Sequence, residues 1–217
     1  MKPTQQDLYR PYEAYAATLK RKIKQEFNRI RLAGFDELNV IRVQSITESI
    51  WKRVDRFNRD AYAEMCEWTY EWVYVQYGDK PPHKDWTKVV DDWLRGYDPV
   101  TKYIYDRELE RKRLRLNEGV LTTRETQDRP GLTDVVRTAA NLLLTQSLQY
   151  GLDLIGETEL EAFKEAAEDE DALIRYNACN DSKTCNECWK LNGKVFKVSE
   201  APHIPQHYRC RCWYTRA

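Results

Sequence analysis

Five potential metal ligands near the C-terminus constrain this chain more than any other feature. Four of its six cysteines lie there with one histidine, in the order Cys185, Cys188, His207, Cys210 and Cys212. Two cysteines separated by two residues can direct both sulfur atoms to one point, and a second pair about twenty residues later can complete a tetrahedron around Zn²⁺. The spacing predicts a structural zinc site, for which we favour Cys185, Cys188, His207 and Cys210, with Cys212 as the substitute.

The cysteines allow a second interpretation, in which they are free buried thiols or a disulfide and bind no metal. A chain that begins with a polar segment and no apolar signal sequence is expected to stay in a reducing compartment, where such clusters more often bind metal. A module of some forty residues after Ala172 is also too small to bury enough surface by itself, and zinc would supply part of the missing folding free energy.

Strand and turn patterns surround the predicted ligands. Asn192 and Gly193 are typical of a tight turn, and the alternating residues 195–198 that follow are typical of a strand. Residues 173–177 also alternate, and residues 210–214 have an extended pattern. The sequence therefore predicts a small three-stranded sheet that zinc could hold together.

Catalytic zinc motifs are missing from the sequence. Base deaminases place a glutamate beside the first ligand, in H-x-E, and neither His203 nor His207 has such a neighbour. The metalloprotease motif H-E-x-x-H is missing as well. We therefore expect that the protein is not an enzyme.

The C-terminal motif resembles that of the Mu-F-like phage head morphogenesis family, whose members are minor head proteins. The residues that carry the resemblance are Asp181-Ser182-Lys183-Thr184-Cys185, Cys188, Leu191-Asn192-Gly193-Lys194-Val195-Phe196, Pro205, His207 and Cys210-Arg211-Cys212. A weaker likeness around Arg137 extends it to roughly residues 132–217. The resemblance implies a virion protein present in few copies at the portal vertex or the capsid interior, and it implies no established enzymatic activity.

The N-terminal half is predicted to be helical. Apolar residues recur at three- and four-residue steps over residues 8–33 and 45–77, and shorter helices are predicted over 84–96 and 98–117. The end of the second helix carries aromatic rings on more than one face, at Trp68, Tyr70, Trp72, Tyr74 and Tyr77. These rings indicate either a core helix or a surface that a partner covers.

Three segments follow from the change in composition along the chain. We predict a helical N-terminal domain over 1–118, a polar linker over 119–131 and a C-terminal module over 132–217. In that module we predict two helices, one ending at Gly151 and one beginning at Thr158, before the sheet. The predicted fold is thus mainly α, with a small C-terminal α+β module. Eight of the residues from Glu157 to Asp171 are acidic, which is typical of a solvated face.

Charge and hydropathy limit the partners. The net charge is zero, which argues against a protein that coats nucleic acid, but the residues after Ala172 are locally basic and could contact genome DNA. No apolar run is long enough to span a membrane, so we expect synthesis in the host cytoplasm and no membrane partner. The favoured function is a virion protein that binds a portal protein or a major capsid or scaffold protein. The alternatives are a zinc-pinned nucleic-acid-binding module unrelated to capsids and a toxin-like nuclease.

Overall fold

The computed structural model describes residues 4–96, 99–167, 171–179, 184–207 and 209–217, with residues 95, 96 and 99–109 described by their backbone alone. The described chain is mainly helical and ends in a three-stranded sheet. Its helices are α1 (Gln5–Leu32), α2 (Val40–Val75), α3 (Trp86–Gly96), α4 (Pro99–Glu125), α5 (Arg129–Ala166) and α6 (Asn186–Leu191), and its strands are β1 (Leu173–Asn177), β2 (Val195–Lys197) and β3 (Trp213–Arg216). This confirms the predicted fold class.

The chain divides into two compact units that do not follow the predicted domain order. One consists of Met1–Tyr15, Ala61–Trp86 and Leu148–Ala217, which we call the C-terminal unit because it contains the sheet. The other consists of Ala16–Asp60 and Thr87–Ser147, which we call the helical unit. Because α1, α2 and α5 each contribute to both units, the composition of the sequence does not mark the division.

The apolar stripe of α1 forms part of the core of the helical unit. Leu19, Ile23, Phe27 and Ile30 follow each other at three- and four-residue steps, and all four are buried. This spacing places them on one face of the helix. The apolar residues whose spacing predicted the helix are therefore the residues that the helix buries.

The aromatic end of α2 belongs to the core of the C-terminal unit. Tyr70, Trp72 and Tyr74 are all buried. The indole N–H of Trp68 donates to the carbonyl of Asp7 at 2.8 Å, and the ring of Tyr77 meets that of Phe163 edge to face. Of the two interpretations of these rings, the structure supports the core helix, so they do not form a partner-binding surface.

The stretch predicted as a linker is mostly helical. Helix α4 continues to Glu125, and α5 begins at Arg129, so only residues 126–128 form a turn. The hydroxyls of Thr123 and Thr126 donate to carbonyls three and four residues earlier, and these bonds satisfy polar groups within the helix. The carboxylate of Asp128 accepts from the backbone N–H of Gly131 and caps the start of α5. The polar composition thus reflects helix ends and not an extended linker.

The two helices predicted in the C-terminal module are one continuous helix, α5, which passes through Gly151 and Gly156. Gly156 is needed for packing, because a Cβ there would overlap the backbone carbonyl of Ile204. At Gly151 the nearest neighbour of an added Cβ is the flexible end of Met65, at 3.2 Å. The sequence identifies these glycines, but only the packing shows that Gly156 allows another segment to approach the helix.

The sheet has the order β2-β1-β3, and both pairs are antiparallel. Its buried face carries Ile174, Tyr176 and Tyr214, and the two tyrosine rings meet edge to face at 5.5 Å. Side chains from α5 and from the turn after α2 cover the outer edge of β3: Glu159 Oε1 accepts from the N–H of Tyr214 and Gln76 Oε1 accepts from that of Arg216. These bonds satisfy N–H groups that an edge strand would otherwise leave open.

Glu159 is fully buried, although it lies in the acidic stretch that the sequence predicts to be solvated. One carboxylate oxygen accepts from Tyr214, and the other has no hydrogen-bond partner among the described residues. Burial raises the pKa of this carboxyl well above its ordinary value, because the charged form loses its hydration. The side chain is therefore held in its neutral form over a wider pH range than an exposed glutamate.

Replacing Gly156 by alanine is expected to destabilise the protein by at least about 2 kcal/mol, because two backbone segments would have to separate. Gly151→Ala is the matched control: alanine is the better helix former, and a flexible methionine can adjust, so we expect a change of at most about 1 kcal/mol in either direction. Urea unfolding followed by circular dichroism measures both. Equal effects of the two substitutions would contradict the packing role of Gly156.

Glu159→Gln is expected to remove a pH dependence of stability. Since the folded-state pKa is raised, the folded protein binds the extra proton, and stability is full below the unfolded pKa and decreases as the pH rises from there toward the folded pKa. The wild type should lose up to about 1.4 kcal/mol per pH unit relative to the variant. Urea unfolding of both proteins between about pH 5 and 8 measures this difference, and parallel curves would contradict it.

Candidate metal centre

The first pair of predicted ligands lies at the start of α6, a short helix that the sequence analysis did not predict. Cys185 is the N-cap residue, and its sulfur accepts from the backbone N–H of Cys188 at 3.3 Å. A side chain at the N-cap and one three residues later lie on the same side of the first turn. The C-x-x-C motif thus brings both sulfur atoms to one side of the helix end.

The second group of ligands lies in the segment that leads into β3. The N–H of Cys210 donates to the carbonyl of His207 at 3.0 Å, which closes a tight turn between these two ligands. Arg209 inside this turn has a φ of 62°, in the left-handed region, and its N–H donates to Gln149 Oε1 on α5. The turn is therefore fixed both by its own backbone and by α5.

The two groups meet at Cys188. Its sulfur lies 3.1 Å from Nε2 of His207 and 3.7 Å from the sulfur of Cys210. The ligand atoms of Cys185, Cys188 and His207 lie within 4.8 Å of one another, and so do those of Cys188, Cys210 and Cys212. Two thiolates in a tetrahedral zinc site, each about 2.3 Å from the ion, are about 3.8 Å apart, so the separation of Cys188 and Cys210 is compatible with such a site.

The pKa values of the four thiols in the cluster are shifted in opposite directions: two are lowered and two are raised. The pKa of Cys210 is lowered to about 5, chiefly because the side chain of Cys212 donates a hydrogen bond to it, and the pKa of Cys212 is raised by the same bond. Burial raises the pKa of Cys188 to about 11, whereas the N–H of Cys188 lowers that of Cys185. A cation at the centre would stabilise all of these sulfurs as thiolates.

Residues from the start of α1 support the site, and the sequence analysis did not identify them. The hydroxyl of Tyr9 donates to the carbonyl of Cys212 at 2.7 Å, and the side-chain amide of Gln5 donates to the carbonyl of Arg211 at 2.9 Å. They hold the backbone that carries the last two cysteines. No local pattern could have identified them, since more than two hundred residues separate the partners in sequence.

A cavity of about 480 Å³ adjoins the cluster. Its lining includes all five predicted ligands, together with Cys179, Thr184, Arg209, Arg211, Tyr12 and Leu152. The cluster therefore lies at the wall of a cavity that has basic residues near it.

These contacts show that the cluster could hold one metal ion. The structure brings together all five residues that the sequence singled out, with three of the favoured four in one group and Cys210 in the other, beside the substitute Cys212. The choice of Cys210 over Cys212 as the fourth ligand stays a prediction. Asp181, at the start of the motif that resembles the family, lies outside the described residues.

His203 takes no part in the cluster. Its Nε2 lies 3.6 Å from a carboxylate oxygen of Glu157, and this neighbouring carboxylate raises the pKa of the histidine. The two histidines thus have different environments: His203 lies beside the carboxylate of Glu157, and His207 lies beside the sulfur of Cys188. His203 is therefore an ion-pairing residue beside α5.

None of the helices in the described part of the chain combines the length and the apolar character that crossing a bilayer requires. Comparison with curated proteins and with solved structures gives no significant match. A family model described as Phage Mu protein F like protein matches residues 97–215, which is more than half of the chain. The match begins two residues before α4, well before residue 132, where the resemblance seen in the sequence begins, and it includes the whole Cys/His cluster. The chain therefore belongs to the Phage Mu protein F like family.

Proposed function

We propose that this protein is a minor head protein of a phage virion, acting at or near the portal vertex or the capsid interior in head assembly and DNA packaging. The observation that carries the proposal is the family match over residues 97–215. It is supported by the close approach of the Cys/His residues, which brings the two halves of the C-terminal motif together in the structure. The protein would be made in the host cytoplasm and enter the assembling head.

The partner in this proposal is the portal protein, or else the major capsid or scaffold protein. The aromatic end of α2 offers little contact surface, because Tyr70, Trp72 and Tyr74 are buried within the C-terminal unit. Large apolar side chains are exposed instead at the α1–α2 connection, at Leu32, Val40 and Ile41. Arg129 fixes this connection, since its guanidinium donates to the carbonyl of Ala33 at 2.8 Å and lies over the ring of Phe35. A rigid, exposed apolar end suits a protein contact.

The ion in this proposal is zinc with a structural role. Four cysteines and one histidine offer enough ligands to close a tetrahedral site, and closed sites of this kind stabilise a fold and leave no position for substrate. The three short strands and α6 bury little surface, so the ion would contribute to their stability. The proposal therefore assigns no enzymatic activity to the cluster.

Genome contact through the C-terminal module has less support. Lys190 pairs with Glu187 at 2.8 Å and Lys197 with Asp171 at 2.6 Å, and the guanidinium of Arg216 lies over the ring of Tyr77. Pairing of this kind leaves fewer cations of the module available for phosphate groups.

Purified protein is expected to contain about one zinc ion per chain, and Cys188→Ser should remove it, because Cys188 belongs to both ligand groups. Cys179→Ser is the matched control: Cys179 lines the same cavity but belongs to neither group, so its variant should retain zinc. Elemental analysis measures the metal. Hydrogen exchange should show faster exchange in the three strands of Cys188→Ser, with little change in α4, which lies in the helical unit.

Cys210→Ser and Cys212→Ser distinguish the fourth ligand in the same assay. Cys210→Ser should lose most of the zinc, whereas Cys212→Ser should retain more of it. The reverse order would make Cys212 the ligand. No metal in the wild type, with unchanged hydrogen exchange in chelator, would refute the zinc site and leave a cluster of buried thiols.

Purified virions are expected to contain the protein in few copies, and the tagged protein should co-purify with the portal protein from infected cells. Quantitative mass spectrometry of both samples measures this. A matched pair of exposed-residue variants, Ile41→Asp in the helical unit and Val195→Asp in the C-terminal unit, tests the proposed contact surface, and only the first should reduce co-purification. A protein that is abundant in infected cells but missing from virions would contradict the proposal.

A further inference from the structure

The second half of α1 is strongly basic, although the whole chain is neutral. Between Ala16 and Leu32 there is one acidic residue, Glu26, and the basic residues are Lys20, Arg21, Lys22, Lys24, Arg29 and Arg31. All six basic residues are exposed. A segment of this kind creates a positive potential that attracts anions.

Few of these charges are neutralised within the protein. Glu26 pairs with Arg53 at 2.6 Å and lies 3.6 Å from Arg29, and Lys22 lies over the ring of Phe57. Within the described parts of the chain, Lys20, Arg21 and Lys24 form no ion pair. This differs from the C-terminal module, where Lys190 and Lys197 are paired with carboxylates. The available positive charge therefore lies on α1 more than on the module that the sequence suggested.

Some of these basic residues line a groove between α1 and α5. It has a volume of about 450 Å³, belongs entirely to the helical unit, and has no carboxylate in its lining. The basic residues that line it are Lys20, Lys24 and Arg31 from α1 and Arg137 from α5. Arg137 also pairs with the nearby Asp134 at 2.9 Å, so the three cations of α1 carry most of the available charge. Asn28, Asn141 and Thr133 add neutral hydrogen-bonding groups.

The spacing of these cations suits a nucleic-acid backbone. Lys20 and Arg31 are eleven residues apart, which is about 17 Å along a helix. One strand of duplex DNA carries a phosphate about every 3.4 Å along its axis, so about five phosphates span the same distance. Flexible, exposed lysine and arginine side chains in a row can follow such a backbone without reading its sequence.

We infer that the α1–α5 groove of the helical unit is a contact surface for the phosphate backbone of duplex DNA, without sequence specificity. The choice of DNA over an acidic protein rests on the proposed function, because a head protein near the packaged genome meets duplex DNA at high concentration. The location of the surface rests on the charges alone. The binding energy comes mainly from counterion release, so the interaction should weaken steeply with salt.

Fluorescence anisotropy with a labelled 20-base-pair duplex and the full chain tests this inference. The triple variant Lys20→Gln, Lys24→Gln and Arg31→Gln removes three charges from the groove. The matched control, Arg175→Gln, Lys190→Gln and Lys194→Gln, removes three exposed charges from the C-terminal module. We expect the groove variant to bind at least about tenfold more weakly near 0.1 M salt, with the slope of log affinity against log salt smaller in magnitude by roughly 2 to 3. The control should bind like the wild type.

Three results would overturn the inference: a wild type that does not bind the duplex, an equal loss in both variants, or a larger loss in the control. Competition by poly-glutamate at concentrations that leave duplex binding to a reference DNA-binding protein unchanged would instead assign the surface to an acidic protein. Thermal unfolding of both variants verifies that the exposed substitutions leave the fold intact. Incorporation of the groove variant into virions, measured separately, distinguishes failure of DNA binding from failure of the proposed head function.

Discussion

The buried sulfur of Cys188 is the point at which the two ligand groups of the C-terminal unit converge. On one side it meets Cys185 and His207, and on the other Cys210 and Cys212. Through it, the start of α6 and the segment before β3 are held at one point, while β1 lies between β2 and β3 in the sheet. Strands of three to five residues could not define this arrangement by backbone pairing alone. The Cys and His side chains of the cluster therefore contribute to an arrangement that the hydrogen bonds between the strands extend.

Local periodicity predicted most of the fold, because the same spacing decides which residues are buried. The stripe of α1 and the alternation of β1 are examples, since both patterns coincide with observed burial. Polar composition was less informative. Residues 119–125 are polar because they lie near a helix end, and Gly151 and Gly156 interrupt the apolar pattern of α5 without interrupting the helix. In each case tertiary packing overrides a weak local preference.

The approach of the five Cys and His residues to one another was predictable from the sequence, whereas the residues that hold their backbone were not. The spacing of cysteine and histidine residues indicates which ligand atoms can approach one another. In the structure, Cys185 and His207 form one group with Cys188, and Cys210 and Cys212 form another. Tyr9 and Gln5 carry no such signal, because a tyrosine or glutamine that binds a distant carbonyl looks like any other in sequence. Likewise, the aromatic residues of α2 gave no indication of what would cover them, so two interpretations stayed open until the burial was known.

The hydrogen bond from Tyr9 to Cys212 joins two residues that are synthesised at very different times. A ribosome releases the first turns of α1 long before the residues that they must hold, and the C-terminal unit is assembled from three separate stretches of the chain. Every residue of the helical unit, which ends at Ser147, has been synthesised before any residue of β1, α6 or β3. Contacts between such distant residues close late and slowly. The newly made chain thus carries β1 as an unpaired segment until β2 and β3 have been synthesised, and the residues of the cluster can all meet only after Cys212 has been added.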